Sequence, residues 1–216
     1  MHRIAERPAY PKPPRTVEPE RPRNMDALAA FYRQCVRQPQ LAEFAASIGV
    51  TGHSLERLGI GFDGDAWTFP MSEPDGAVIG IRRRFADGRK LSVRGGREGL
   101  FIPTDGGDLA TLVIVCEGPT DTAAILDAEF FAVGRPSCLG ATAMVKHLIG
   151  KRDVVIVADV DDAGRRGALK LAEELVMPGR IVKVIEPLTG KDARQWRPSR
   201  GAMASVIRSA YPYRSS

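Results

Sequence analysis

Two apolar runs in this chain end in acidic residues whose spacing suits the capture of a hard cation. The run LVIVC ends at Glu117, followed by Gly118, Pro119, Thr120 and Asp121. The run VVIVA ends at Asp159, with Asp161 two residues on, Asp162 beside it, and Ala163-Gly164 opening the next segment. Residues two apart in an extended chain point the same way, so Asp159 and Asp161 can face one ion. A further acid, Asp192, lies in a Gly190-Lys191-Asp192 loop. Glu117, Asp159 and Asp161 converging on one sheet edge repel each other unless a cation neutralises them, and hard oxygen donors suit Mg²⁺ or Mn²⁺. The chemistry implied is phosphoryl transfer, in which such ions activate a hydroxyl and carry charge on the leaving oxygen. Asp121 and Asp162 also fit a plainer role, as acids at helix N-termini that offset the macrodipole.

A basic segment precedes these acids. Between Arg82 and Arg97 lie seven basic residues, Arg82, Arg83, Arg84, Arg89, Lys90, Arg94 and Arg97, against one acid, Asp87. On a strand Arg82 and Arg84 share a face and Arg83 takes the other, so one row of guanidinium groups can line a groove beside the carboxylates. Guanidinium groups grip phosphates bidentately, which suits a template backbone or an incoming triphosphate. The plainer reading is a sheet edge guarded by charge, and Lys191 beside Asp192 is ambiguous in the same way.

The elements that must hold these groups follow from periodicity. Residues 1–24 carry six of the 16 prolines, interleaved with charge, and are expected to be a disordered tail. The segment DALAAFYRQCVR places Leu28, Phe31, Tyr32 and Cys35 at helical spacing with Asp26 as a cap. A helix LAEFAASIG after Pro39 and a short one over 54–58 follow, and then AWTFP, AVIGIRRRF and RKLSVRG read as antiparallel strands. Residues 25–110 are therefore expected as a small basic α+β subdomain. From 111 to 200 the pattern is β-α-β-α-β-α-β: LVIVC, helix TDTAAILDAEFF, strand PSCL, helix ATAMVKHLIG, run DVVIVAD, helix AGRRGALKLAEELV and strand RIVKVIE. Continuous apolar runs alternating with helices imply a parallel four-stranded sheet in a Rossmann-like α/β domain. Residues 201–216 read as a C-terminal tail, a weak helix and a frayed end.

Two other motifs are set aside. Gly59, Gly61 and Gly64 satisfy G-x-G-x-x-G, but a helix precedes them and a strand follows, the reverse of a dinucleotide fingerprint. VVIVAD resembles a Walker B strand, yet the chain holds no G-x-x-x-x-G-K-[ST]. Composition bounds the rest. The 216 residues are 44% hydrophobic and 26% charged, as in a globular protein with a core, and the net charge of +5 favours a polyanionic partner such as nucleic acid. Cys35, Cys116 and Cys138 are too scattered for a disulfide framework or a cysteine zinc site, and no apolar run approaches the roughly 18 residues of a membrane span. His2, His53 and His147 are equally scattered. These features predict a cytoplasmic, nucleoid-associated protein with no zinc and no membrane partner.

The acidic motifs together resemble a known family. Glu117-Gly118 after one strand, Asp159-Val160-Asp161 after a later one, and Gly164 opening the next helix look like the Toprim domain of DnaG-type and phage primases, topoisomerases and nucleases. CEGPTDTAAI, SCLGATA, VADVDDAGRRGA and GKDARQW resemble the primase branch, where Asp121 and Asp192 match acids of the pattern. LGIGFDGDAWTFPMSEPDGAVIGIRRRFADGRK looks like the basic subdomain that precedes Toprim in primases. Pro119 departs from the pattern, standing where many members carry another acid. The resemblance implies primer synthesis on a single-stranded DNA template from nucleoside triphosphates by two divalent ions. Asp159, Asp161 and Asp192 would be ligands, and Glu117 a general base or further ligand. Arg82, Arg84, Lys90, Arg94, Arg97 and Lys191 would hold nucleotide or DNA, with Gly118, Asp121, Asp162 and Gly164 in support. The family's zinc module and helicase segment have no counterpart here, so a helicase or initiator on another chain is expected, as in a mobile element. A Toprim nuclease and a non-catalytic DNA-binding accessory protein are the rival expectations. A topoisomerase would need a tyrosine nucleophile on another domain, and a haloacid-dehalogenase-type phosphatase would carry its Asp-x-Asp on the first strand.

Overall fold

In the computed structural model, residues 24–105, 111–196 and 200–210 are described. The proline-rich stretch and the last residues of the chain lie outside them. Helix α1 (Met25–Gln34) is capped by Asn24, whose side chain accepts from the Ala27 N–H at 3.0 Å, rather than by Asp26, which sits in the first turn. Its inward stripe is Met25, Leu28, Ala29 and Tyr32, and Phe31, expected on that face, is 59% exposed. Helix α2 (Gln38–Ile48) begins one residue before Pro39, whose missing N–H is harmless in a first turn, and ends at Gly49 with φ 76°. Helix α3 (Gly52–Arg57) is capped by Thr51, whose N–H also donates to Asp127 at 2.8 Å.

Strands β1 (Gly61–Phe62), β2 (Trp67–Ser72), β3 (Val78–Arg84) and β4 (Lys90–Ser92) form an antiparallel sheet in that order. β1 was not expected. It occupies the middle of the G-x-G-x-x-G string, because a Cβ at Gly61 would lie 2.6 Å from the Thr68 hydroxyl and 2.7 Å from Tyr32. Gly64, at φ 97°, makes the turn into β2.

The second sheet is parallel, with β5 (Leu112–Glu117), β6 (Ala132–Arg135), β7 (Asp153–Val157) and β8 (Val182–Ile185) in the order β6-β5-β7-β8. The crossover helices are α4 (Pro119–Leu126), α5 (Thr142–Ile149) and α6 (Asp162–Leu175). Both faces are buried, as the apolar runs require: Ile114 and Cys116 enter one core while Val113 and Val115 enter another. One strand is misplaced in the sequence reading. The strand is AVGR, not PSCL, and α4 stops at Leu126 instead of running to Phe131. Glu129 takes a left-handed φ of 66°, which reverses the chain into β6, and Pro136, lacking an N–H, closes the strand. Gly134 lies where β6 passes under α4, with space for no Cβ: one would stand 2.3 Å from the Thr122 hydroxyl.

Leu100 and Phe101 bracket the two sheets. Leu100 exchanges backbone hydrogen bonds with Ser72 on β2 at 2.9 and 2.8 Å, and Phe101 with Gly134 on β6 at 2.9 and 3.0 Å. The larger core crosses between them, gathering Leu41, Leu55, Phe69, Phe101, Ile114 and Ile125. The weak helix expected after residue 200 is helix α7 (Arg200–Ala210), and it is not frayed from the body of the protein, since Met203 and Ile207 enter this same core. Among the described residues, no helix is long and apolar enough to cross a membrane.

Candidate active site

The parallel sheet turns outward in both directions from β5: the chain goes first to β6 on one side and then to β7 on the other. Such a reversal opens a crevice at the carboxyl ends of the two central strands, where α/β sheets hold ligands. Glu117 ends β5, and Asp159 and Asp161 follow β7 directly, so the sequence delivers its carboxylates to that crevice. Gly118, at φ 78°, turns the chain from β5 into α4, and its N–H donates to the Arg135 carbonyl at 2.8 Å. Asp161 is the N-cap of α6, accepting from the Gly164 N–H at 2.7 Å. Gly164 is required there, since a Cβ would lie 2.8 Å from the Asp159 Cβ. Asp192 caps a 3₁₀ turn (Ala193–Gln195), accepting from the Gln195 N–H at 2.8 Å.

These carboxylates feel one another. Burial, then repulsion from Glu117, Asp192 and Asp161, raises the Asp159 pKa to about 7. Asp121, almost wholly buried at the start of α4, is raised to about 7 by burial and then by Asp192 and Asp159, although it accepts the Arg194 N–H at 2.9 Å. Burial raises Glu117 as well, with Lys90 and Arg135 opposing. A cavity of about 20 Å³, room for one water, lies between Glu117, Asp159, Arg135, Cys138 and Gly164. Among the described residues, no three His, Cys, Asp or Glu side chains stand close enough together to ligate one metal ion.

The antiparallel sheet supplies the opposing charge. Arg84 pairs across the sheet with Lys90 on the same face. Lys90 acts on Glu117 and Asp159, and half-buried Arg84 is lowered by burial and by Arg194 while Asp121 and Asp192 pull it upward. Arg82 shares that face but pairs with Glu98 at 3.3 Å. Arg83, on the other face, pairs with Asp63 at 2.5 Å. Arg97 is largely exposed and pairs with Glu73, and Arg94 and Lys191 are exposed. Asp162 is 87% exposed, beside Arg165 in the first turn of α6, so its geometry is that of a macrodipole acid.

Two residues of this region escaped the sequence reading. Arg135 is 4% exposed; its guanidinium donates to the carbonyls of Gly140 and Cys138 at 3.0 and 2.7 Å and to the Thr142 hydroxyl at 3.1 Å. It thereby holds the 138–142 loop beside Glu117. The misplaced PSCL strand hid it, and the charge ending the short apolar AVGR segment was the available signal. Arg194, whose backbone bonds Asp121 and whose side chain reaches Asp192 at 3.4 Å, lay in a stretch without periodicity.

The arrangement of two lobes around this crevice is found in known structures. A DnaG primase catalytic domain bound to single-stranded DNA superposes with a TM-score of 0.68 at 19% identity, over 86% of this chain and 77% of that one. The chain has the fold of a DnaG-type primase catalytic core. The RNA polymerase domain of Mycobacterium tuberculosis primase DnaG matches with a TM-score of 0.62 at 20% identity, over 85% of this chain and 81% of that one. The primase fragment of the bacteriophage T7 primase-helicase protein matches with a TM-score of 0.56 at 16% identity, covering 77% and 72%. No protein-family model and no curated protein matches this chain in sequence.

Proposed function

We propose that this chain is a primase catalytic core, joining nucleotides into short primers on single-stranded DNA by metal-dependent nucleotidyl transfer. The observation that carries the reading is the convergence of Glu117, Asp159 and Asp161 on the switch-point crevice, with Asp192 beside them and Lys90 and Arg84 facing them from the other sheet. A DnaG catalytic domain of similar fold, bound to single-stranded DNA, supports the choice of partner.

The donor set fits Mg²⁺ or Mn²⁺ in kind. It is all carboxylate, and a divalent cation offsets the burial and the mutual repulsion that raise Asp159. Asp159, Asp161 and Asp192 would hold such ions, which when bound supply charge for the phosphates and lower the pKa of an attacking hydroxyl. Glu117 then serves as the proton acceptor for a primer 3′-hydroxyl or as a further ligand, and its half-buried position, with Lys90 and Arg135 countering its charge, suits either role. Lys90 and Arg84 bind phosphate, of the triphosphate or of the template. Arg135 holds the 138–142 loop in place through its bonds to the Gly140 and Cys138 carbonyls.

The experiment is synthesis from labelled nucleoside triphosphates on single-stranded DNA with Mg²⁺ or Mn²⁺, wild type beside Glu117→Gln. Short products from the wild type alone are expected. Metal-dependent strand cleavage without incorporation would replace this reading with a nuclease, and neither activity would leave a binding module.

A further inference from the structure

Arg84 also lines a second, open cavity of about 480 Å³ that the reaction above does not use. Its wall is aromatic. Phe44 comes from α2, Phe62 from β1 and Trp67 from β2, and the Trp67 ring stacks on Phe44 with centroids 4.8 Å apart and planes 19° apart. Phe62 meets Trp67 at 5.2 Å and 57°. The chain has only fourteen Phe, Tyr and Trp residues, and Phe85 makes four of them around this one space. Phe44 and Trp67 lean on the larger core, yet both, with Phe62, are only partly buried, which leaves ring surface facing the cavity. Two carboxylates, Glu43 and Asp65, complete the rim.

We infer that this cavity seats an unstacked base of single-stranded nucleic acid. Every base has a π face, so an aromatic wall takes any of them. Arg84 links the cavity to the carboxylate crevice by charge, because it lines the one and is attracted by Asp121 and Asp192 in the other. Its guanidinium supplies charge for the strand's phosphates between the two. The inference depends on the proposed function for the choice of DNA as ligand.

Trp67 is its own reporter, since the second tryptophan, Trp196, is buried. A short fluorescently labelled oligothymidylate is titrated into the full chain, following label anisotropy, and the unlabelled strand is titrated while following tryptophan emission. A strand of the same length made of abasic sugar-phosphate is run in parallel. Quenching of Trp67 by oligothymidylate is expected, with about tenfold weaker binding of the abasic strand and a similar loss in Phe44→Leu and Trp67→Leu. The abasic comparison is made on wild type, so it stands even where a variant fails to fold. Binding by anisotropy with unchanged Trp67 emission, equal binding of the abasic strand, or no binding at all overturns the base seat. Equal quenching by free thymidine triphosphate also overturns it, in favour of a nucleotide subsite. Quenching without primer synthesis keeps the base seat and removes the catalytic reading; synthesis with a silent Trp67 does the reverse.

Discussion

The Val160 N–H donates to the Lys191 carbonyl at 2.7 Å, so the turn bearing Asp159 and Asp161 is fastened by main chain to the loop bearing Asp192. The spacing of these carboxylates is therefore set before any side chain moves, which is the preorganisation an electrostatic site needs. Gly190 makes that loop possible. It sits at φ 81°, and a Cβ there would lie 2.5 Å from the Gln195 Cβ.

Gly190→Ala is accordingly expected to cost about 1–3 kcal/mol of stability through strain and displacement of the loop. It should also lower metal-dependent activity, while Lys191→Ala, which keeps the backbone bond, should change stability by less than about 0.5 kcal/mol. Urea unfolding and a Mg²⁺ titration of activity on both variants check this. Equal behaviour of the two would refute a role for the main-chain tie.

Asp161 caps α6 and is proposed to hold metal, and substitution separates the two roles. Asparagine also caps helices well, so Asp161→Asn should keep the bond to the Gly164 N–H and leave stability nearly unchanged, whereas Asp161→Ala should lose about 1 kcal/mol. Both should lose metal-dependent primer synthesis. Retained activity in the stable Asp161→Asn would exclude this carboxylate from the ligand set.

How far these relationships are legible in the sequence depends on whether they are local. Glu117, Asp159 and Asp161 stand out because an apolar run followed by an acid needs only the strand period, and buried parallel strands announce themselves. The face shared by Arg82 and Arg84 follows from the same alternation. The strand at 132–135 escapes because four residues containing a glycine carry too little pattern. What places it is non-local: the close approach to α4 at Gly134 and the bracket to Phe101. β1 escapes for the same reason. The division of labour within the basic row is not legible either, since the pairing of Arg97 with Glu73 and of Arg82 with Glu98 depends on how the chain folds back.

Asp121 yields a stability prediction with a definite sign. Its ordinary pKa is 3.8 and its folded value about 7, so between these limits the native state holds a proton that the unfolded chain has released. Its contribution is fully present below about pH 4 and is lost as pH rises through about 7. Asn at this position keeps an oxygen for the Arg194 N–H and cannot ionise near Asp192, Asp159 and the buried Cys116, with Arg84 and Arg194 as the nearby cations. Asp121→Asn should therefore gain on wild type as pH rises from about 4 to about 7 and hold a constant advantage above that. Thermal unfolding of both proteins across this range, without divalent cation, measures it. A difference independent of pH would place the Asp121 pKa near its ordinary value.

Arg84 and Arg97 test whether position or charge alone governs the proposed DNA binding. Each substitution to alanine removes one positive charge from a chain of net charge +5, so a purely diffuse attraction would weaken equally in both. The geometry predicts otherwise. Arg84 is half-buried between the aromatic cavity and the carboxylate crevice, whereas Arg97 is exposed and paired with Glu73 at 3.1 Å. Each phosphate of a single strand that a cationic side chain no longer neutralises lowers the slope of log affinity against log salt by about 0.7. Arg84→Ala should show that reduction together with weaker binding of oligothymidylate, and Arg97→Ala should leave the slope and affinity close to wild type. Binding isotherms at several salt concentrations distinguish the cases, and an equal loss in both variants would reassign the interaction from a defined groove to the general positive field of the protein.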